Sequence, residues 1–171
     1  MFSAKPAEIK SLTLEWKDGK VSFARKEVGA LFEGKEGAAA EDLVATLATI
    51  RAADALPKDD KEAAGARRTA RITLGLFDGA TVVVTLDTAT AAKPGEAARA
   101  FVTVTHSDPK HQANAVTKLA TFVAVPWMVE QVPPSLADFR KGPVSAEPAP
   151  QTIQIPGPSP EIITSPDIKV K

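Results

Sequence analysis

Two Asp-Gly pairs, each lying between segments of alternating apolar residues, constrain the fold of this chain more than any other feature. Within residues 9–16, Leu12, Leu14 and Trp16 recur at every second position, and the alternation resumes with Val21 and Phe23 after Asp18 and Gly19. The same order is repeated around Asp78 and Gly79. A period of two is typical of a half-buried strand, and an Asp-Gly pair between two such segments indicates a β-hairpin. The sequence therefore predicts two antiparallel hairpins.

Further elements are predicted after the first hairpin. Val28, Ala30 and Phe32 alternate and predict a third strand, with Leu31 on the opposite side. From about residue 38 to 53, apolar residues spaced as on one face of a helix predict an amphipathic helix, which cannot continue through Pro57. The apolar stripe consists of Leu43, Val44, Leu47, Ala48 and Ile50.

The second hairpin is followed by a longer series of elements. Residues 101–105 and 119–125 predict two strands because they are apolar and rich in β-branched side chains. Pro126 suits the first turn of a short helix, and Ser135 is a candidate N-cap for one more turn. Residues 58–68 read as a loop or a frayed helix, and polar residues elsewhere predict loops at 88–98 and 107–114.

These elements predict an α+β fold made of two β-β-β-α-like halves, each an antiparallel meander capped by a helix. The halves cover about residues 5–57 and 68–142 of one domain, residues 1–142. Their similar order is explained equally well by an internal duplication and by coincidence among common hairpin patterns. The side chains expected to dominate the core are Leu12, Leu14, Trp16, Leu43, Leu47, Leu74, Val84 and Phe122.

A proline-rich tail follows at residues 143–171, which hold seven of the fourteen prolines. This density predicts extended chain, because proline is excluded from helix interiors and from central strands. Flexible linkers seldom carry branched apolar residues such as Ile153 and Ile155. The tail is therefore interpreted either as an extended strap against the domain or as a partner-binding segment.

Composition excludes several functional classes. The chain has 171 residues, no cysteine, and 21 basic against 21 acidic side chains. It therefore has no disulfide scaffold or thiolate metal site, and no net charge that would attract nucleic acid or an anionic membrane. No segment approaches the length of a membrane span, and the first residues do not resemble a signal peptide. The protein is then either cytoplasmic or a trimmed part of an exported or anchored protein.

Two groups of residues are candidates for chemistry or binding. His106, Asp108 and His111 could ligate a metal ion, although loop residues that close a hairpin are the favoured interpretation. Trp16 and Trp127 could line a ligand pocket between the halves, although each is expected to pack in the core. No nucleophile motif and no phosphate-binding loop is present, so we predict no cofactor and no enzymatic activity.

Three segments of the chain resemble a known family. They are Pro-Ala-Glu-Ile-Lys-Ser-Leu-Thr-Leu at residues 6–14, Phe-Val-Ala-Val-Pro-Trp at 122–127 and Leu-Ala-Asp-Phe-Arg-Lys at 136–141. Together with the hairpin and the Leu-rich helix between them, they resemble the bacterial domain-of-unknown-function family 4340. The resemblance covers roughly residues 5–141.

The resemblance implies a place in the cell envelope. Members typically carry an N-terminal membrane segment and lie outside the cytoplasm. Some members, including gliding-motility auxiliary proteins, are associated with ABC-type transport systems. The chain is then expected to be a non-enzymatic interaction module, an accessory subunit that is periplasmic and membrane-tethered at full length. The expected partner surface includes Trp16, Trp127, Ile153 and Ile155. A small-ligand binding domain and a metal-dependent enzyme using the His106–His111 loop are the alternatives.

Overall fold

The computed structural model describes residues 2–91 and 98–141. The strands in these ranges are β1 (Phe2–Ser3), β2 (Ile9–Trp16), β3 (Gly19–Ala24), β4 (Thr49–Ile50), β5 (Ala52–Pro57), β6 (Arg67–Leu76), β7 (Thr81–Thr88), β8 (Ala100–His106) and β9 (Ala120–Ala124). The helices are α1 (Gly37–Leu47), α2 (Lys61–Ala64), α3 (Gln112–Leu119), α4 (Pro126–Gln131) and α5 (Leu136–Lys141).

Seven of these strands form one antiparallel sheet in the order β3-β2-β6-β7-β8-β9-β5. Strands β1 and β4 pair separately as a two-stranded sheet. The predicted α+β class and both predicted hairpins are confirmed. The two halves of the prediction share this sheet, because β5 from the first half pairs with β9 from the second.

One face of the sheet forms the core, because directly paired residues project to the same side. Leu14 lies opposite Ile72 and Ile72 lies opposite Val84, which in turn pairs with Val104. Helix α1 contacts β2 and α4, and its buried side chains belong to the same apolar cluster. Burying each such side chain contributes about 1.5–3 kcal/mol. All eight side chains expected to dominate the core are buried.

The segment after β3 differs from the prediction, since residues 25–36 form a loop with turns and no third strand. Phe32 is buried, as a core-facing residue would be, whereas Val28 is 61% exposed. The backbone N–H of Phe32 donates to the Glu41 side chain (2.7 Å). The apolar alternation was therefore misleading, because the backbone partner comes from α1 and the segment does not join the sheet.

The predicted helix over residues 38–53 is too long, because α1 ends at Leu47. The backbone of Ala48 accepts a hydrogen bond from Ala4 N (2.8 Å), and Ile50 pairs with Phe2 in the small sheet. Residues 52–57 then form β5 on β9. The N-terminal residues and β9 thus supply backbone partners that override the helix preference of this alanine-rich segment.

Helix α3 is a third difference, since it begins inside the loop predicted at 107–114 and continues to Leu119, where a strand is predicted. The predicted strand after it begins at Ala120, the helix beginning at Pro126 is confirmed, and Ser135 bonds the N–H of Asp138 as an N-cap does (3.1 Å). None of the helices in residues 2–91 and 98–141 has the length and the apolar composition of a membrane-spanning helix. The predicted tail at 143–171 lies outside the described residues.

Gly79→Ala is expected to lower the free energy of unfolding by about 1 kcal/mol, because Gly79 closes the β6–β7 turn with φ of +90°. Apart from its chain neighbours, no atom of the described residues lies within 4 Å of the position that its Cβ would occupy, so the cost arises in the backbone. Gly65→Ala is the matched control, since Gly65 has φ of −86° and is expected to tolerate alanine. Urea denaturation measures both. Equal losses in the two variants would contradict the assignment.

Candidate functional site

Among the described residues, Arg25 is the one charged side chain that is buried; it follows β3 and is 5% exposed. Its Nη1 donates to the backbone oxygen of Pro6 (2.7 Å), and its Nη2 pairs with the carboxylate of Glu41 on α1. The guanidinium carbon lies 4.3 Å from the centre of the Phe32 ring. One side chain therefore connects the N-terminal segment, the loop and α1.

Glu41 completes this connection through its second carboxylate oxygen, which accepts the N–H of Phe32. A buried charge is costly unless it is paired and hydrogen-bonded, and removing one partner of such a pair is strongly destabilising. Arg25 Nε is buried and has no hydrogen-bond partner among the described residues. The pair therefore fixes the position of the loop at the expense of one unsatisfied donor.

We call residues 25–36 the anchored loop, because Arg25 and Glu41 hold it from inside. Gly29 and Gly34 have φ of +81° and +109°, which allows the backbone to reverse twice. On its surface, Lys26 Nζ lies 2.8 Å from Glu33 Oε1, and this hydrogen bond and charge lower the pKa of Glu33. The loop therefore has a defined path both at its buried side and at its surface.

The anchored loop presents two large aliphatic side chains to solvent. Val28 is 61% exposed and Leu31 is 74% exposed. A single exposed apolar residue needs no explanation, since much of any protein surface is apolar. Here two lie three positions apart on a backbone held by buried bonds, and this arrangement is typical of a contact surface with little ordering cost on binding.

The histidine cluster has a local structural role. The rings of His106 and His111 stack with centroids 4.0 Å apart and planes 13° apart. Nδ1 of His106 accepts the N–H of Asp108 (3.0 Å), and Nδ1 of His111 accepts the N–H of Ala113 (3.2 Å), so His111 is the N-cap of α3. Both imidazoles therefore act as acceptors for backbone groups.

The same geometry disfavours the metal-site interpretation of His106, Asp108 and His111. The lone pair of an imidazole nitrogen lies in the plane of its ring. The lone pairs of two stacked, nearly parallel rings therefore lie in two parallel planes and do not converge on one metal ion. Asp108 Oδ1 accepts the N–H of Lys110 (2.9 Å). Within residues 2–91 and 98–141, no group of three or more His, Cys, Asp or Glu side chains could hold a metal ion.

Helix α3 borders a part of β8 that no strand of the described residues covers. Strand β9 pairs with β8 only at Phe101 and Val102. Further along β8, Asn114 bonds both the N–H and the backbone oxygen of His106 (2.8 and 2.9 Å). Thr117 Oγ1 donates to the backbone oxygen of Val104 (2.8 Å). Side chains of α3 thus take the place of the missing strand.

The two tryptophans lie in different environments. Trp16 is 5% exposed, donates from Nε1 to the backbone oxygen of Pro133 (2.7 Å) and lies 5.7 Å from the Phe139 ring. It is therefore a core residue and not part of a partner surface. Trp127 is 48% exposed, which contradicts its expected core packing.

A shallow groove of about 280 Å³ includes the edge of Trp16 without Trp127. Its other lining residues are polar: Glu15, Lys17, Arg68, Thr69 and Arg71. The remaining two residues of the expected partner surface, Ile153 and Ile155, lie outside the described residues. Of the two that the structure describes, Trp127 lies at the surface and Trp16 is buried. Sequence reasoning did not find Val28 and Leu31 as surface residues.

Comparisons of the chain with protein-family models, with curated proteins and with solved structures found no match.

Arg25→Met is expected to lower the free energy of unfolding by roughly 3 kcal/mol, because it leaves the Glu41 carboxylate without its buried partner. The N–H of Phe32 should also exchange faster with deuterium, since its acceptor is no longer held. Lys26→Met removes the exposed pair with Glu33 in the same loop and should change stability little. A loss no larger than that of Lys26→Met would contradict the anchoring role of Arg25.

His111→Ala is expected to destabilise the protein by about 1 kcal/mol, because α3 loses the side chain that caps its N-terminus. His111→Asp should retain most of the stability, since a carboxylate is among the best N-caps. Chemical denaturation of the three proteins at neutral pH tests this. If the aspartate variant loses as much stability as the alanine variant, the ring stacking with His106 matters more than the cap.

Proposed function

We propose that this protein is a non-enzymatic interaction module of the bacterial cell envelope, an accessory subunit of a membrane-associated, ABC-transporter-like complex. In this proposal the domain is extracytoplasmic and membrane-tethered at full length. The compartment rests on the resemblance of residues 5–141 to family 4340. The mode of action rests on the anchored loop, whose exposed Val28 and Leu31 are the observation that carries the proposal.

The anchored loop is suited to binding a protein because its backbone is ordered before any partner arrives. Association costs free energy for each loop and side chain that must be immobilised. Arg25 and Glu41 hold the loop from its buried side, so its backbone is already immobilised when the protein folds. Val28 and Leu31 can then enter an apolar pocket of a partner, where each would bury most of its remaining exposed surface.

The charges around these two side chains favour a contact that is apolar at its centre. Lys26 and Glu33 neutralise each other at the surface of the loop. Interfaces that bind specifically have a desolvated apolar centre inside a polar rim. The loop has this arrangement on a small scale, so we expect Val28 and Leu31 to dominate its binding energy and Lys26 and Glu33 to contribute little.

Photocrosslinking in the cell of origin tests the proposal on the full-length protein. A photoreactive amino acid is placed at position 28 or 31, and at position 119 as the matched control. Leu119 is 79% exposed, which is close to the 74% of Leu31. It lies on α3 and not on the anchored loop. We expect positions 28 and 31 to crosslink to a membrane-associated envelope protein and position 119 to give far less product.

The double variant Val28→Ser and Leu31→Ser should weaken capture of that partner at least about tenfold without lowering the free energy of unfolding, because both side chains lie outside the core. Leu119→Ser should leave capture unchanged. Equal crosslinking from position 119 would overturn the role of the loop. Crosslinks to cytosolic proteins alone would overturn the proposed compartment.

A further inference from the structure

We propose that the pocket between β8, β9 and α4 binds a small organic cation, a primary amine whose short hydrocarbon chain fills the pocket and whose ammonium group lies at the rim beside Glu130. Three observations carry the proposal: the apolar lining of the pocket, the excess of carboxylates around it, and the half-exposed Trp127 on the helix that borders it. The proposal does not depend on the protein partner proposed above.

The pocket lies where β9 parts from β8. The ladder between these strands ends at the pair Phe101 with Val123. The next residues of the two strands, Ala100 and Ala124, line the pocket and have only a methyl group as side chain. Pro126 has no N–H and begins α4, so the chain enters a helix and does not extend the ladder. This departure leaves a pocket of about 360 Å³.

The lining of the pocket is mainly apolar. Ala100 and Ala124 are buried and belong to the core, and Val129 packs partly buried against it. Ligand pockets have volumes of about 300–1,000 Å³, so this one suits a small molecule with few polar groups. The groove beside Trp16, in contrast, is lined mainly by polar side chains. The apolar lining residues here are Ala98, Ala100, Val123, Ala124, Pro126 and Val129.

Arg99 also lines the pocket, but acidic side chains already balance its charge. Its Nη1 lies 3.0 Å from Glu62 Oε2. This hydrogen bond and the charge of Glu62 raise the pKa of Arg99, with smaller contributions from the charges of Asp60 and Asp54. An anionic ligand at Arg99 would therefore have to approach three carboxylates.

Glu130 is the other charged residue of the lining, and it favours a cation. Its side chain is exposed, and no Lys or Arg of the described residues forms a salt bridge with it. Lys61 precedes Glu62 in sequence and adds one positive charge near Arg99. Glu130 and the three carboxylates near Arg99 thus outnumber these two cations, and such an excess attracts positively charged ligands.

Trp127 supplies a second contact for a cation. Pro126, Val129 and Glu130 line the pocket and lie three or four positions apart, so they share one face of α4. Trp127 lies three positions before Glu130 and is its neighbour on the helix surface. Its side chain is 48% exposed. Because the face of an indole ring attracts ammonium groups, a cation at Glu130 is favoured by both side chains.

Titration of the full chain with hexylammonium chloride, followed by the amide and methyl NMR signals, tests the proposal. Hexylammonium joins a short hydrocarbon chain to an ammonium group. We expect saturable shifts of the signals of Ala100, Ala124 and Val129. Hexanoate has a similar chain and the opposite charge, and it should bind at least about tenfold more weakly. Ammonium chloride at equal concentration is the control for ionic strength and should not shift these signals.

Glu130→Lys should weaken the binding of hexylammonium at least about tenfold, because it replaces an attractive charge with a repulsive one. Trp127→Leu should weaken it about threefold. Glu27→Lys is the matched control, since it makes the same charge change at an exposed residue after β3 and should leave binding unchanged. Uncharged hexanol should bind equally to the unaltered protein and to Glu130→Lys, because its contacts with the apolar lining remain.

Four results would overturn the proposal. The first is the absence of saturable shifts at Ala100, Ala124 and Val129, and the second is equal binding of hexanoate and hexylammonium. The third is a Glu130→Lys variant that keeps its affinity for hexylammonium or loses hexanol binding in parallel. The fourth is a shift of these signals with protein concentration alone, because a second copy of the chain would then occupy the pocket. Saturable binding of hexylammonium that Glu130→Lys weakens selectively supports the proposal.

Discussion

The rest of the structure depends on the placement of every second side chain of β2, β6, β7 and β8 on one face of a single sheet. The row from Leu14 through Ile72 and Val84 to Val104 crosses four strands without a polar residue. A shift of one residue in any of these pairings would turn an apolar set towards solvent. Tight turns at the strand ends hold the register, and the helices pack on the face that this register makes apolar. The loop, the caps and the edges described above all take their positions from that packing.

Much of the fold could be predicted because its strongest signals are local. The hairpins need only alternation and a turn residue, so β2, β3, β6 and β7 and the core residues on them follow from the sequence. The errors lie where distant backbone determines structure. Residues 52–57 are alanine-rich and favour helix, yet β9 recruits them into the sheet. Helix α3 has no broad apolar stripe. It is stabilised by the His111 N-cap and by side-chain hydrogen bonds to β8.

The candidate site could be predicted only in part, for the same reason. Nothing in the sequence marks Arg25 as buried, because its partners lie at Pro6 and Glu41, in separate segments. The alternation of Val28 and Phe32 is real, but only Phe32 faces the core. The histidines were identified as a cluster, while their role as acceptors for backbone groups required their geometry. Trp16 and Trp127 both stand in apolar sequence segments. They differ in burial, which depends on the side chains that pack against each of them in the fold.

The way α3 borders β8 also determines where the sheet is weakest. Only the pairs Phe101 with Val123 and Val102 with Phe122 join β9 to β8. Beyond them, the attachment consists of side-chain bonds from Asn114 and Thr117. The β9–β5 ribbon is therefore joined to the five remaining strands by a shorter backbone ladder than those strands share with one another. A mechanical load that pulls on the ribbon would therefore have fewer backbone hydrogen bonds to break here than between any other neighbouring strands of the seven-stranded sheet.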